Sequence, residues 1–419
     1  MTAVFVRAPP RRAWRWLTNG RCIALAVALY LGELLVMATR IVRHSRYLDS
    51  WWVYAVAAES WSSRGPLYKK GVDGFQYLPQ AAILFAPFAR LGSPAGDITW
   101  RAVSWVVLAL AVWRVSATLA PNHRGRTFLL VAALSVGPSV ASLVNGQANQ
   151  IIAALMLHAA VDLAYGHRWR ASAWLSLGLA LKPIMIVMML LACVLDRPLI
   201  ARVVVGVALL ALLPFVLAPA PYVVTQLAGW WDKLGASSRP DRYFEDLRGL
   251  VVHATGWPMP HALLAVVRLL GAVGASVLTW ELRRHWRAPD RTLMLCAVAA
   301  TYLMLLNPRT QASSYVLVAP IAAVASARLL LRGRRRAGSL LAVLCLSWMV
   351  HVHFAKEWLK PLTCLVFAVL VAREIYSRVG FPQPSERLPD EARPHASTPD
   401  PCARTTDASG HAPSRGCPP

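Results

Sequence analysis

Three features of this sequence carry groups able to do chemistry: an aspartate among aromatics, a lysine inside an apolar run, and a turn rich in amides. Asp49 follows Arg43-His-Ser-Arg-Tyr-Leu and precedes Ser-Trp-Trp-Val-Tyr54, just past the first long apolar run. A carboxylate at a membrane edge beside aromatic rings is placed to take a proton from a hydroxyl group. It is also placed to cap a helix starting at Ser50 or Trp51, and both readings stand. Lys182 lies in the apolar run 175–191, where an ammonium is costly unless it meets an anion or reaches water. Pro183 removes a backbone donor and ends the helix. The lysine therefore sits at a helix end, with a phosphodiester as its partner or an interface to snorkel to.

The third feature is Asn145-Gly146-Gln147-Ala148-Asn149. The neutral amides of Asn145, Gln147 and Asn149 suit sugar hydroxyls, and they equally suit helix ends. Gln76 and Tyr77, beside Pro79, present the same choice. Glu33 falls in the middle of the first apolar run, where an ionisable group is a functional suspect or the partner of a neighbouring span.

The elements that must position these groups are helices in a bilayer. Of 419 residues, 57% are hydrophobic and only 15% charged, with apolar runs recurring down the chain. That composition is that of an all-α polytopic membrane protein. The formal charge of +24 is spread in short Arg clusters between apolar runs, which argues against nucleic acid as a partner. The first apolar run is long enough to span and lacks a small-residue cleavage site, so no short signal peptide is expected.

Topology follows from placing the Arg clusters inside. Residues 1–21 form a cytoplasmic N-terminal segment, and 22–42 run outward. Clusters at 122–126, 167–170, 196–202, 281–291 and 328–336 all fall inside under one division. In it, 78–91 lies along the outer interface, and 171–195 is two short helices meeting at Lys182-Pro183. About twelve spans result, with both termini cytoplasmic and external loops at about 43–97 and 219–260. Asp49, Glu59, Asp73, Asp97, Asp232, Asp241, Glu245, Asp246 and Glu357 are then external, as is every lysine. Trp51, Trp52, Tyr54, Trp61 and Tyr77 crowd the same surface as interfacial-belt residues, with some free to stack on sugar rings. None of the seven cysteines falls in a large outer loop, so no disulfide is implied. Residues 22–380 form the membrane domain. Residues 381–419 read as a disordered cytoplasmic tail.

No phosphate-binding glycine loop, HExxH, CxxC or Asp-x-Asp pair occurs. No metal site or cofactor is expected, and no soluble domain is large enough for nucleotide chemistry. An activated substrate would arrive in the membrane, as a lipid.

Asp49 with Tyr54, Ser63-Arg64-Gly65-Pro66-Leu67-Tyr68, Phe75-Gln76-Tyr77-Leu78-Pro79, the amide turn 145–149 and Leu181-Lys182-Pro183 resemble, in order and spacing, glycosyltransferase family 87. The resemblance is clear over about 49–202 and extends beyond that by layout. It implies a GT-C fold, a first external loop with membrane-parallel helices, and Asp49 as general base. It implies a polyprenyl-phosphate-linked sugar donor and a glycolipid or polysaccharide acceptor, met at the outer face of the plasma membrane. Tyr54, Gln76, Tyr77, Asn145, Gln147, Asn149 and Gln311 would then contact sugar or acceptor, and Lys182 the donor phosphate. Near 307–315 many relatives are His-rich, whereas this chain has Gln311 and Tyr315; Arg309 is positioned to hold phosphate instead, and His351 and His353 are other substitutes. Mannose is the expected sugar, with arabinofuranose as the alternative. The competing classes are a secondary transporter, which the long outer loops and absence of an evident inverted repeat disfavour, and a scaffold or lipid carrier.

Overall fold

A computed structural model describes residues 18–43, 50–69, 73–237, 244–350 and 356–377. Among them are sixteen α-helices and no β-strand. The N-terminal part holds α1 (Asn19–Arg43), α2 (Ser50–Ser62), α3 (Pro79–Arg90) and α4 (Ala95–Leu119). Then come α5 (Arg124–Val144), α6 (Asn149–Ala164), α7 (Arg168–Leu181), α8 (Ile186–Leu195), α9 (Leu199–Leu217) and α10 (Ala220–Ser237). The C-terminal part holds α11 (Leu247–Thr255), α12 (His261–His285), α13 (Asp290–Leu306), α14 (Ala319–Leu331), α15 (Arg335–Ser347) and α16 (Lys356–Ser377).

Five segments are long and apolar enough to cross a membrane: α1, α4, α5 with its leading 3-10 turn, α9 and α12. About twelve crossings would need shorter apolar helices as well. Helix α6 is buried on every side from Asn149 to Leu163, which marks it as central; α13 is buried along most of its length beside it. By contrast, α1, α9 and α12 expose Leu35, Leu209 and Leu269, as helices facing lipid do. Helix α3 has 12 residues and, at about 1.5 Å per residue, is too short for a hydrocarbon core of ~30 Å. Lys182 is extended (φ −153°, ψ 119°) between α7 and a 3-10 turn opened by Pro183. A residue preceding proline is driven out of the helical region in this way.

The aromatics of the first loop are not all belt residues. Trp51, Tyr54 and Trp61 are buried. Phe85 of α3 sits between Tyr54 and Trp100, with ring centroids 5.1 and 4.9 Å away. Once α3 packs on α2 and α4, these rings gain more from one another than from a lipid–water boundary. Helix α10 closes over the same loop with one face. Tyr222 Oη donates to Gly65 O (2.9 Å), Gln226 Oε1 accepts from Leu67 N (2.9 Å), and Lys233 Nζ donates to Lys69 O (3.1 Å) and to Asp73 O. The spacing of four, then seven residues puts all three on one helical stripe.

A buried ion pair sets the other side of the loop. Arg101 Nε lies 2.7 Å from Asp97 Oδ1, one turn earlier on α4, and both residues are buried. The same guanidinium donates to the carbonyls of Leu143 and Val144 (2.6 Å for the latter), which end α5. Those carbonyls have no partner inside their own helix. Trp100 Nε1 donates to Gly146 O at 2.8 Å. Gly146 has φ +61°, and a Cβ there would meet Arg101 Nη2 at 3.0 Å and Trp51 Cβ at 3.2 Å. Only glycine fits both the backbone and the space.

Asp97→Asn should therefore lower the melting temperature of the purified protein sharply. Removing one partner of a buried pair costs about 3–5 kcal/mol, and intrinsic tryptophan fluorescence would follow the loss. An unchanged transition would mean that the carbonyls of α5 alone hold Arg101.

Candidate active site

One cavity of about 390 Å³ gathers groups from distant parts of the chain. Ser50 and Tyr54 of α2, the strip from Asp73 to Tyr77, Gln147, and the break at Lys182 form one side. Leu303 and Met304 at the end of α13, with Asn307, Arg309 and Gln311, form the other, and Leu234 of α10 adds an apolar edge. Tyr54, Gln76, Tyr77, Gln147, Lys182, Arg309 and Gln311, proposed from sequence over a span of more than 250 residues, all line it.

A hydrogen-bond chain orders the polar wall. Lys182 Nζ donates to Asn149 Oδ1 at 2.5 Å. Asn149 Nδ2 donates to Gln147 Oε1 (2.7 Å) and to Ser313 O (2.9 Å). Ser313 Oγ donates to Gln147 Oε1 (2.8 Å), and Gln147 Nε2 donates to Gln311 Oε1 (3.1 Å). Asn149 is wholly buried, so it acts on the cavity through Lys182 and does not touch a ligand itself. Lys182 Nζ also stands 5.7 Å from the Tyr77 ring centroid, within cation–π range. Among the described residues no carboxylate lies within ion-pair distance of this ammonium; its fixed partner is a neutral amide oxygen. Among the described residues, then, the ammonium is oriented by an amide and not paired with a carboxylate.

Tyr54 contributes structure more than contact. It is buried, its ring lies 5.3 Å from that of Tyr77, and its hydroxyl accepts from Ala148 N at 3.3 Å. Asn145 is exposed and is not part of the cavity wall. Its carbonyl instead accepts from Ser50 N at 2.9 Å, tying the start of α2 to the amide turn. Asp49 lies outside the described residues; its neighbour Ser50 lines the cavity. Among the other acidic candidates, Asp73 lines the cavity, and Asp232 is exposed on α10.

The two residues standing where relatives are His-rich part company. Gln311 reaches the cavity, whereas Tyr315 is wholly buried and donates to Glu245 O at 3.0 Å. That bond, with Glu245 N donating to Thr310 O at 2.9 Å, fixes the turn carrying Arg309. Arg309 itself stacks over Phe244, 5.6 Å from its centroid. His351 and His353 lie outside the described residues. Glu33 does not line the cavity; its carboxyl oxygens are out of water and no described residue pairs with them. Sequence reasoning missed Arg101 as the group that fixes the amide turn, although Asp97-x-x-x-Arg101 has the spacing of a one-turn ion pair.

Comparison with known proteins agrees with this geometry. The model of glycosyltransferase family 87 matches residues 75–308. A Mycobacterium tuberculosis protein, the polyprenol-phosphate-mannose-dependent alpha-(1-2)-phosphatidylinositol mannoside mannosyltransferase, is 27% identical over 354 residues, covering 78% of this chain and 80% of that one. With more than half its length matched, and with its lysine and amides drawn into one cavity, the chain belongs to glycosyltransferase family 87 and is a membrane glycosyltransferase.

Proposed function

We propose that this enzyme moves a sugar, most readily mannose, from a polyprenyl-phosphate donor to a glycolipid or polysaccharide acceptor, at the outer face of the plasma membrane. The observation that carries the reading is the Lys182 ammonium, held by an amide and not by a described carboxylate, in the cavity that Ser50 borders. The mannose donor is favoured by the similarity to a polyprenol-phosphate-mannose-dependent relative.

In the reaction, Asp49 takes the proton of the acceptor hydroxyl as its oxygen attacks the anomeric carbon. The bond from that carbon to the phosphate oxygen breaks on the opposite face, so the configuration inverts. A lipid phosphate leaves as a stable anion and needs no protonating acid, unlike the leaving group of a glycoside hydrolase. Lys182 and Arg309 receive its charge; Lys182 acts as a compact point charge and Arg309 as a planar donor fork. Gln76, Tyr77, Gln147 and Gln311 offer hydrogen bonds and ring faces to the sugar or acceptor. Residues 22–380 form the transferase domain, with about twelve crossings and both termini in the cytoplasm, and 381–419 form a cytoplasmic tail.

Incubation of the lipid-reconstituted protein with labelled polyprenyl-phosphate-mannose and glycolipid acceptors should yield mannosylated product. Transfer only from polyprenyl-phosphate-arabinose would make it an arabinofuranosyltransferase. Asp49→Asn keeps the size and most hydrogen bonds but cannot accept a proton, so transfer should fall about 10²–10⁴-fold while donor binding is little changed. Loss of activity in Asp73→Asn with Asp49→Asn active would move the base to Asp73.

Lys182→Ala should reduce kcat/KM for the donor about 10- to 100-fold, as expected for a hydrogen bond to a charged group. Lys182→Arg should recover part of that loss. Unchanged kinetics in Lys182→Ala would assign the lysine to the interface alone.

Orientation is checked by labelling. Cysteine introduced by Ser237→Cys should react with an impermeant thiol reagent on intact cells, and cysteine introduced by Arg336→Cys should not. The reverse pattern would place the cavity on the cytoplasmic side.

A further inference from the structure

At the end of the bundle away from the cavity, three guanidinium groups converge on one indole. Arg283 and Arg284, in the last turns of α12, lie with Cζ 5.2 and 4.9 Å from the Trp280 ring centroid. Arg197, between α8 and α9, lies 5.5 Å from it. The distance from the cavity follows from helix lengths. Arg268 of α12 donates to Leu306 O at the cavity end of α13 (2.9 Å), and Trp280 is three turns further on, at about 1.5 Å per residue.

Three like charges around one ring repel each other, and the ring's π face offsets only part of that. The carboxylates beside them are engaged elsewhere. Asp196 pairs with Arg168 at 2.7 Å, and Glu281 with His285 at 3.2 Å. A second observation is independent of the count of charges. Nη1 of Arg283 is withdrawn from water and has no hydrogen-bond partner, although a buried donor of this kind is costly to leave unmet. The cluster is therefore short of an anion.

Its position says which kind. The cluster caps two helices that present long apolar faces outward, through Leu209 and Val204 on α9 and Leu269 and Leu270 on α12. Both helices are long and apolar enough to span a bilayer. An anion reaching Trp280 from beside them arrives at headgroup depth with hydrocarbon below it. We propose that Arg197, Arg283 and Arg284 around Trp280 bind the phosphate of an anionic phospholipid, in the leaflet opposite the active site, with its acyl chains along α9 and α12. Nothing in glycosyl transfer requires this site; it would tie the fit of α12 against α8, and so the wall at Lys182 and Leu303, to the lipid composition of that leaflet.

Native mass spectrometry of the full-length protein released from mixed micelles tests it, with phosphatidylglycerol, phosphatidylcholine and glycerol 3-phosphate as probes. The wild type should retain phosphatidylglycerol in preference to phosphatidylcholine, and glycerol 3-phosphate should not compete at equal concentration. In the Arg197→Gln/Arg283→Gln/Arg284→Gln variant, retention should drop about a hundredfold, taking roughly tenfold per ~1.4 kcal/mol and ~1 kcal/mol per basic residue. The same charge removed by Arg334→Gln/Arg335→Gln/Arg336→Gln should leave retention nearly intact. Equal retention of both phospholipids by the wild type would overturn the proposal, as would full competition by glycerol 3-phosphate, which would make this a soluble-anion site. Equal losses in the two variants would reduce it to general surface charge. Should the first triple variant fail to fold, Arg197→Lys/Arg283→Lys/Arg284→Lys keeps the charge and should keep the preference; its loss there with the fold intact would also count against the site.

Discussion

The ion pair between Asp97 and Arg101 is the constraint from which the cavity hangs. Both groups are buried, where charge is tolerated only when paired and hydrogen-bonded. Arg101 meets that requirement by reaching across to the last carbonyls of α5. The chain must then turn at Gly146, where Arg101 and Trp51 leave no room for a side chain and Trp100 holds the carbonyl. The turn in turn orients Asn149, and Asn149 orients Lys182. A charge outside the cavity wall thus decides where the cavity's ammonium stands.

Three lysines show how environment divides one residue type into different roles. Lys360 is wholly buried and neutralised by Glu245 at 3.2 Å, fastening α16 to the second loop. Lys233 spends its donors on backbone carbonyls of the first loop, and burial holds its amine below the ordinary lysine range. Only Lys182 pairs its donor with a neutral side-chain amide inside the cavity. A carboxylate there would cancel the ammonium's field. An amide orients the ammonium and leaves that field in place.

The loop after α2 and helix α10 are fastened together beside the cavity. Helix α10 holds the first loop by a single polar stripe, and its Leu234 forms part of the cavity edge. From the other direction, Glu245 brackets the turn that carries Arg309 and Gln311. Two sides of the cavity are therefore each held by hydrogen bonds to backbone groups. Much of the polar content of these loops serves that purpose.

Composition and local pattern by themselves determined the class of this protein, an all-helical membrane enzyme, and singled out residues that the fold brings to one cavity. Apolar runs separated by Arg clusters leave no alternative fold class. A proline after a lysine breaks a helix wherever it occurs, so the exposed end at Lys182 was legible without neighbours. The amide turn and the strip 75–77 were legible because polar residues in a lipid-spanning chain need a reason to exist. Tertiary structure alone decided which of them meet. Asn145 and Tyr54 have the same residue chemistry as Gln147 and Tyr77, yet the first supports α2 through its backbone and the second, though at the cavity wall, is largely buried against Tyr77, Phe85 and Trp100. Tyr315 was likewise turned away from the cavity by the carbonyl of Glu245. Burial is a sum over contacts from helices far apart in sequence, and no local spacing encodes that sum.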